Sequence, residues 1–131
     1  MTVLFDNRKA RFDYELIEEY ETGIVLLGWE VKTIRAKQGN LKSSWCKVRN
    51  GEIYLENFKL GQWRYGSEAQ DLIRSKKLLM HKKEIIRLEI KLKEGNFAIV
   101  PLKVFLSKGL IKCKIALGKG RKNMKKSMLL I

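Results

Sequence analysis

The chain has 131 residues, 45% apolar and 32% charged, with a net charge of +14 at pH 7, which fits one globular domain able to bury about two-thirds of its unfolded surface. No apolar run approaches the roughly 20 residues of a membrane span, no signal segment opens the chain because Asp6, Arg8, Lys9 and Arg11 arrive at once, and no basic helix carries an apolar, aromatic face suited to lipid. The charge is lopsided, since residues 95–131 hold nine Lys or Arg and no Asp or Glu, and a polyanion, nucleic acid first, is the expected partner.

Residues 1–11 are polar and basic and are expected to be loose. A strand is predicted over 14–17, continuing through Tyr20 and broken by Gly23. Ile24, Leu27, Val31 and Ile34 recur at three- and four-residue steps and predict a helix over 24–37, with Glu30, Lys32 and Arg35 largely off that line. Gly39-Asn40 is expected to end it. Two β runs, 44–49 and 52–58, flank Asn50-Gly51, a dipeptide that accepts positive φ at both centres of a type I′ hairpin turn. Residues 61–75 show no period, and a loop of that length inside a compact domain is often functional.

The stretch 81–94 predicts a helix with Ile85, Leu88 and Leu92 on one stripe, Ile86 and Ile90 beside it, and Glu89 and Lys93 as an i,i+4 pair. The alternation Leu88, Ile90, Leu92 would also suit a strand. Strands over 97–106 and 110–117 follow, joined at Lys108-Gly109. Val104, Phe105, Leu106, Ile111, Ile115 and Leu117 interleave with the bases, so the basic stretch is folded at least as far as Leu117. Five strands without β-α-β alternation argue against a parallel sheet. The predicted fold is mainly β, an OB-like antiparallel barrel with two to three helices packed on it. With no repeats and no linker, residues 1–122 form one barrel domain and 123–131 a short, atypical tail.

Enzymatic constellations are scarce, and neither a catalytic residue nor a cofactor or metal is expected. His81 is the sole histidine and sits among Lys76, Lys77, Lys82 and Lys83, which suits a surface or phosphate-facing side chain better than a general base. Strand alternation places Glu19 and Glu21 on one face and Glu18 on the other, so the acidic run from Glu15 reads as a solvated or salt-bridged strand and not a metal site. Cys46 and Cys113 lie far apart without a CxxC pattern, which fits reduced, buried thiols in a cytoplasmic protein. The segment GKGRK (118–122) lacks the spacing of a nucleotide-hydrolysing loop, yet it sets two glycines beside three cations. Lys112 and Lys114 should leave one strand face while Cys113 and Ile115 point inward. Arg74, Lys76, Lys77, Lys82 and Lys83 make a second basic cluster, near Trp63 and Tyr65, which could either stack on unpaired bases or fill the core.

The segments Asn7-Arg8-Lys9-Ala10, EEYETGIVLLGWEVKTIR (18–35), NLKSSWCKV (40–48), NGEIYL (50–55), SKKLLMHKKEI (75–85), VPLKVF (100–105) and KCKIALGKGRK (112–122) together resemble small protein B, the family that binds transfer-messenger RNA (SsrA RNA) in bacterial ribosome rescue. The resemblance spans 7–122 and implies an OB-like barrel that binds the tRNA-like part of that RNA around its D-loop and elbow. It assigns binding to Glu21, Leu79, Lys112 and Lys114, places Asn7 in the N-K-x-A opening and puts Gly120 at the hinge of the tail. The carboxylate of Glu21 would accept hydrogen bonds from base N–H groups, where a lysine could only grip phosphate. Arg8, Lys9, Lys77, His81, Lys82, Lys119, Arg121 and Lys122 complete the expected RNA-binding set. The resemblance further implies a monomer that meets elongation factor Tu through the RNA and enters the A site and small-subunit decoding region of a stalled ribosome.

Two departures stand out. The family's N-H-D-P segment is here Glu68-Ala69-Gln70-Asp71-Leu72, which puts contacts on that loop in question. After GKK the family continues with a Y-D-K-R type sequence and a further basic helix, whereas this chain reads RKNMKKSMLLI (121–131). One added A in the first A-run of a permitted codon choice from Arg121 onward gives R-K-K-Y-E-K-K-H-A-I. Residues 123–131 are therefore expected to be a frameshifted or truncated terminus, with the tail-dependent step impaired. The alternative reading is a general basic ribosome- or RNA-associated structural protein. An RNA-processing enzyme has no acid–base pair or metal set to support it.

Overall fold

The computed structural model describes residues 1–63 and 70–121. In chain order these form β1 (Thr2–Asp6), α1 (Arg8–Asp13), β2 (Tyr14–Ile24), α2 (Gly28–Arg35), β3 (Gly39–Asn40), β4 (Trp45–Arg49), β5 (Glu52–Glu56), β6 (Lys59–Leu60), β7 (Lys76–Leu79), α3 (Lys82–Lys93), β8 (Phe97–Ser107) and β9 (Leu110–Gly120).

Two hairpin turns set the register. Asn50 and Gly51 adopt φ of 52° and 76°, and Lys108 and Gly109 adopt 51° and 80°, the paired positive values whose twist matches the strands they join. From the first turn, Arg49 pairs with Glu52 and Cys46 with Leu55. From the second, β8 and β9 pair from Ser107↔Leu110 to Phe97↔Lys119. The ring then runs β9–β2–β7–β5–β4 and returns to β8 through Cys46↔Ile99, every pair antiparallel. Closure removes the exposed strand edges that an open sheet would leave. The other member of this sheet, β1, adds to β8, while β3 and β6 form a small separate pair.

Inside the ring lie Ile53, Leu55, Leu78, Ile99, Val104, Cys113, Ile115 and Leu117, joined by Ile34 of α2 and by Ile85 and Leu88 of α3. Each such aliphatic side chain contributes about 1.5–3 kcal/mol by leaving water. Cys46 and Cys113 are free and buried; burial pushes the Cys113 thiol up to about 12 and that of Cys46 well above its ordinary range. The α3 stripe is as expected, although Ile86 and Ile90 stay exposed. The ion pair at its end is Lys91–Glu94 at 3.7 Å.

Several expectations are corrected. The N-terminus is not loose, because Phe5 packs edge-on against Phe58 at 5.2 Å and Asn7 donates its backbone N–H to the Leu102 carbonyl at 2.8 Å. Gly23 does not break β2: it pairs with both Leu79 and Lys112, and a Cβ there would sit 3.3 Å from that of Leu79. The helical stripe drawn from Ile24 begins in a strand, since α2 starts only at Gly28, where the Leu27 N–H donates to the Glu30 carboxylate at 2.7 Å. Gly39-Asn40 is β3 and not the helix stop, while Lys37, with φ of 58°, turns the chain after the helix. The described residues hold nine strands against the five first read, with three helices, within the two to three expected. Of the four missed strands, β1 lies in the stretch expected to be loose, and β3, β6 and β7 run for two to four residues, too short for alternation to show.

Candidate nucleic-acid interface

Strand β2 carries Glu15, Glu19 and Glu21 outward, whereas Thr22 is buried and donates its Oγ1 hydrogen to the Cys113 carbonyl at 2.8 Å. That anchor fixes the outward direction of Glu21. Across the ladder, Glu21 lies opposite Lys114, and Gly23 lies between Leu79 on one side and Lys112 on the other. The charges pair diagonally: Lys112 Nζ lies 2.9 Å from Glu21 Oε1, and Lys114 Nζ lies 3.3 Å from Glu19 Oε1. Leu79 is 52% exposed and lies against the bare backbone of Gly23. The fold thus brings Glu21, Leu79, Lys112 and Lys114 into one patch over β7, β2 and β9. Exposed pairs of this kind contribute about 0–1 kcal/mol, so they can exchange partners with an incoming RNA. Cys113 and Ile115 point inward as expected.

The remaining glutamate of the run is committed elsewhere. Glu18 accepts hydrogen bonds from Arg87 Nε at 3.0 and 3.1 Å, from Arg87 Nη2 and from the Tyr20 hydroxyl. The Arg87 guanidinium, with help from Tyr20, holds its carboxyl at about 2. A β-bulge between Leu16 and Glu18 shifts the register there.

The second basic cluster does not form one cationic face. Lys76 is fully buried, with Nζ donating to the Arg74 carbonyl at 2.8 Å and lying 3.9 Å from Glu30 Oε2 and 5.4 Å from the centre of the Phe58 ring. Burial pushes its pKa down to about 8, against the attraction of Glu30. Arg74 grips the same carboxylate through Nε at 2.9 Å and Nη2 at 2.6 Å, so Glu30 is a core residue and not a helix-surface one. Lys77 pairs with Glu52 at 2.8 Å, which raises the lysine pKa and lowers that of the carboxyl. His81 and Lys82 remain exposed at the start of α3, and Lys82 Nζ reaches over the Asn50-Gly51 turn.

The other expected residues gather at the far end of β2, nine residues from Gly23 and so roughly 30 Å away along the strand. There Tyr14 pairs with Gly120 and Glu15 with Lys119, while the Arg121 N–H donates to the Asp13 carbonyl at 3.2 Å. Arg8 and Lys9 are exposed on α1, with Lys9 paired to Asp13 at 3.2 Å. Asn7 is buried and its Nδ2 donates to the Pro101 carbonyl at 2.9 Å, so its amide holds α1 to β8. Lys122, Tyr65 and 123–131 lie outside the described residues. Trp63 is half-buried, with Lys32 Nζ 5.9 Å from its ring and its backbone hydrogen-bonded to Gln70 in both directions. Among the described residues, no three His, Cys, Asp or Glu side chains are grouped to hold a metal, and no helix is long and apolar enough to cross a membrane. Sequence reasoning passed over Trp45, Lys47 and Arg49, which all point outward from β4; their period-two spacing was the available signal.

A closed antiparallel barrel with an ion-paired lysine ladder at one end of a long strand and a basic junction at the other defines a class, the small basic OB-like barrels suited to a polyanion. A family model described as SmpB protein matches residues 4–129. The chain belongs to this family. It is similar to the SsrA-binding protein of Bacillus subtilis (strain 168), at 46% identity over 125 residues, covering 95% of this chain and 80% of that protein. It is 44% identical over 128 residues to the SsrA-binding protein of Thermosipho africanus, covering 96% and 86%. A chain of the solved structure named "tmRNA-SmpB: a journey to the center of the bacterial ribosome" superposes with a TM-score of 0.73 at 40% identity, over 92% of this chain and 85% of that one.

Proposed function

We infer that this protein binds transfer-messenger RNA through the tRNA-like domain and helps deliver it, with elongation factor Tu, to stalled ribosomes in trans-translation. The observation that carries this reading is the convergence of Glu21, Leu79, Lys112 and Lys114 on one exposed patch although they come from three strands. Such a patch offers RNA three kinds of contact. The lysines meet phosphate, which gives affinity that falls with salt. Leu79 lies against a base or sugar. Glu21 accepts from base N–H groups once it exchanges Lys112 for RNA, a contact that depends on the base presented and not on charge alone.

The basic junction of α1 with the end of β9 forms a second surface, where Arg8, Lys9, Lys119 and Arg121 offer further contacts to RNA phosphate. The protein acts by binding and positioning and not by catalysis. Competition tests the reading: unlabelled ordinary tRNA should displace labelled transfer-messenger RNA only at a large excess. Equal competition by the two RNAs would instead favour a general basic RNA-associated protein.

A further inference from the structure

A cavity of about 210 Å³ opens between α1, β2, β4 and β8, lined among others by Lys9, Asp13, Tyr14, Ser43, Trp45 and Val100. It lies at the end of β2 away from Glu21, and neither β2 nor β9 pairs with the strand that supplies Trp45. Trp45 is 49% exposed. It heads the outward row of β4, where Trp45, Lys47 and Arg49 all face solvent while Cys46 between them is buried. Lys47 lies opposite Tyr54 and Tyr54 opposite Lys77, and the Arg49 guanidinium stands 4.6 Å from the centre of the Tyr54 ring. An aromatic-lined hollow therefore leads onto a strip of cations and aromatic rings, whose two carboxylates, Glu56 opposite Trp45 and Glu52 opposite Arg49, are engaged by Ser75 and Lys77.

We propose that this cavity receives one unpaired nucleobase of single-stranded RNA, stacked on Trp45, with the neighbouring phosphates on Lys47 and Arg49. The inference rests on the RNA-binding reading above but uses none of the Glu21 patch. The volume is below the roughly 300 Å³ at which pockets for drug-sized ligands begin, and so suits a single ring system. Tyr14 and Trp45 supply aromatic surface for that ring. Asp13 gives one carboxylate oxygen to Lys9 at 3.2 Å and keeps lone pairs that can accept from a base N–H. Outward residues on a strand repeat every 6.5–7 Å, roughly, so Lys47 and Arg49 follow Trp45 at an even interval along which a phosphate backbone can run. Aromatic stacking beside cations is tolerant of sequence and selective for unpaired bases.

The test uses the full chain, with a fluorescein-labelled poly(A) decamer and a blunt-ended RNA duplex as probes. Trp45→Ala should weaken decamer binding by about tenfold and leave duplex binding unchanged. Trp45→Phe, which still stacks, should keep decamer affinity within about threefold of the parent. Lys47→Ala should lower the salt slope of decamer binding by about one, and it decides the matter should Trp45→Ala fail to fold. Decamer binding by Trp45→Ala equal to that of the parent overturns the proposal, as does a matched loss on decamer and duplex, or an unchanged slope in Lys47→Ala. Each of these leaves the Glu21 patch and the proposed function standing, because binding of the tRNA-like domain is read separately in Glu21→Ala.

Discussion

Lys76 brings a positive charge into the barrel wall, and its neighbours set the consequence. Its folded pKa of about 8 lies below the ordinary 10.5, so between those values the folded chain binds fewer protons than the unfolded one. Stability from this group therefore rises with pH across that window. Lys76→Met should remove the rise, measured as urea midpoints from pH 8 to 10.5 against the parent. Glu30 faces both Lys76 and Arg74. Glu30→Ala would leave two cations without their carboxylate and should cost about 3–5 kcal/mol in urea unfolding. Glu18 behaves differently again. Its folded pKa of about 2 lies below the ordinary 4.5, so its contribution is complete above pH 4.5 and is lost as the pH falls towards 2. Melting temperatures across that range should fall more steeply for the parent than for Arg87→Ala. The sequence allowed an ion-paired Glu18 but disclosed none of the partners, because an isolated Glu or Lys does not reveal one 44 or 69 residues away.

Among the elements, the Asn50-Gly51 hairpin was the clearest in the sequence, and it is the best place to test how local chemistry fixes register. Gly51 has φ of 76°, where a Cβ is strained, and Gly51→Ala should cost about 1–2 kcal/mol in thermal or urea unfolding. A loss below a few tenths would mean that the turn relaxes freely. The two long strands β8 and β9 and helix α3 were also readable, because each repeats its apolar residues often enough for period to show. What was not readable has a common cause. Strand β7 follows an irregular stretch and buries Lys76 and Leu78 while showing Lys77 and Leu79, so its polarity runs against its burial. β2 runs on through Gly23 because closeness to Leu79 and not chain breaking explains that glycine. Short or charge-bearing elements are specified by the strands that flank them, and those flanks exist only in the closed ring.

For the whole molecule, the net charge of +14 indicates a polyanion but not where it binds. The ring resolves the cations into distinct groups: Lys112 and Lys114 paired with carboxylates beside Leu79, Arg8, Lys9, Lys119 and Arg121 at the opposite end of β2, and Lys76 withdrawn into the core. The sequence resemblance had already singled out Glu21, Leu79, Lys112 and Lys114; the ladder adds that they are neighbours and that Glu21 is held by Lys112 when RNA is absent. That pairing gives the decisive measurement a sign. If the patch gripped phosphate alone, deleting the Glu21 carboxylate would free Lys112 and tighten RNA binding. If Glu21 accepts hydrogen bonds from the RNA, the same deletion must weaken it. The measurement is the affinity of Glu21→Ala for the tRNA-like domain of transfer-messenger RNA, at fixed salt and with its melting temperature checked against the parent. Weakening by about tenfold, a loss of about 1.4 kcal/mol, with an unchanged melting temperature is the result expected here; binding as tight as the parent's or tighter would contradict it.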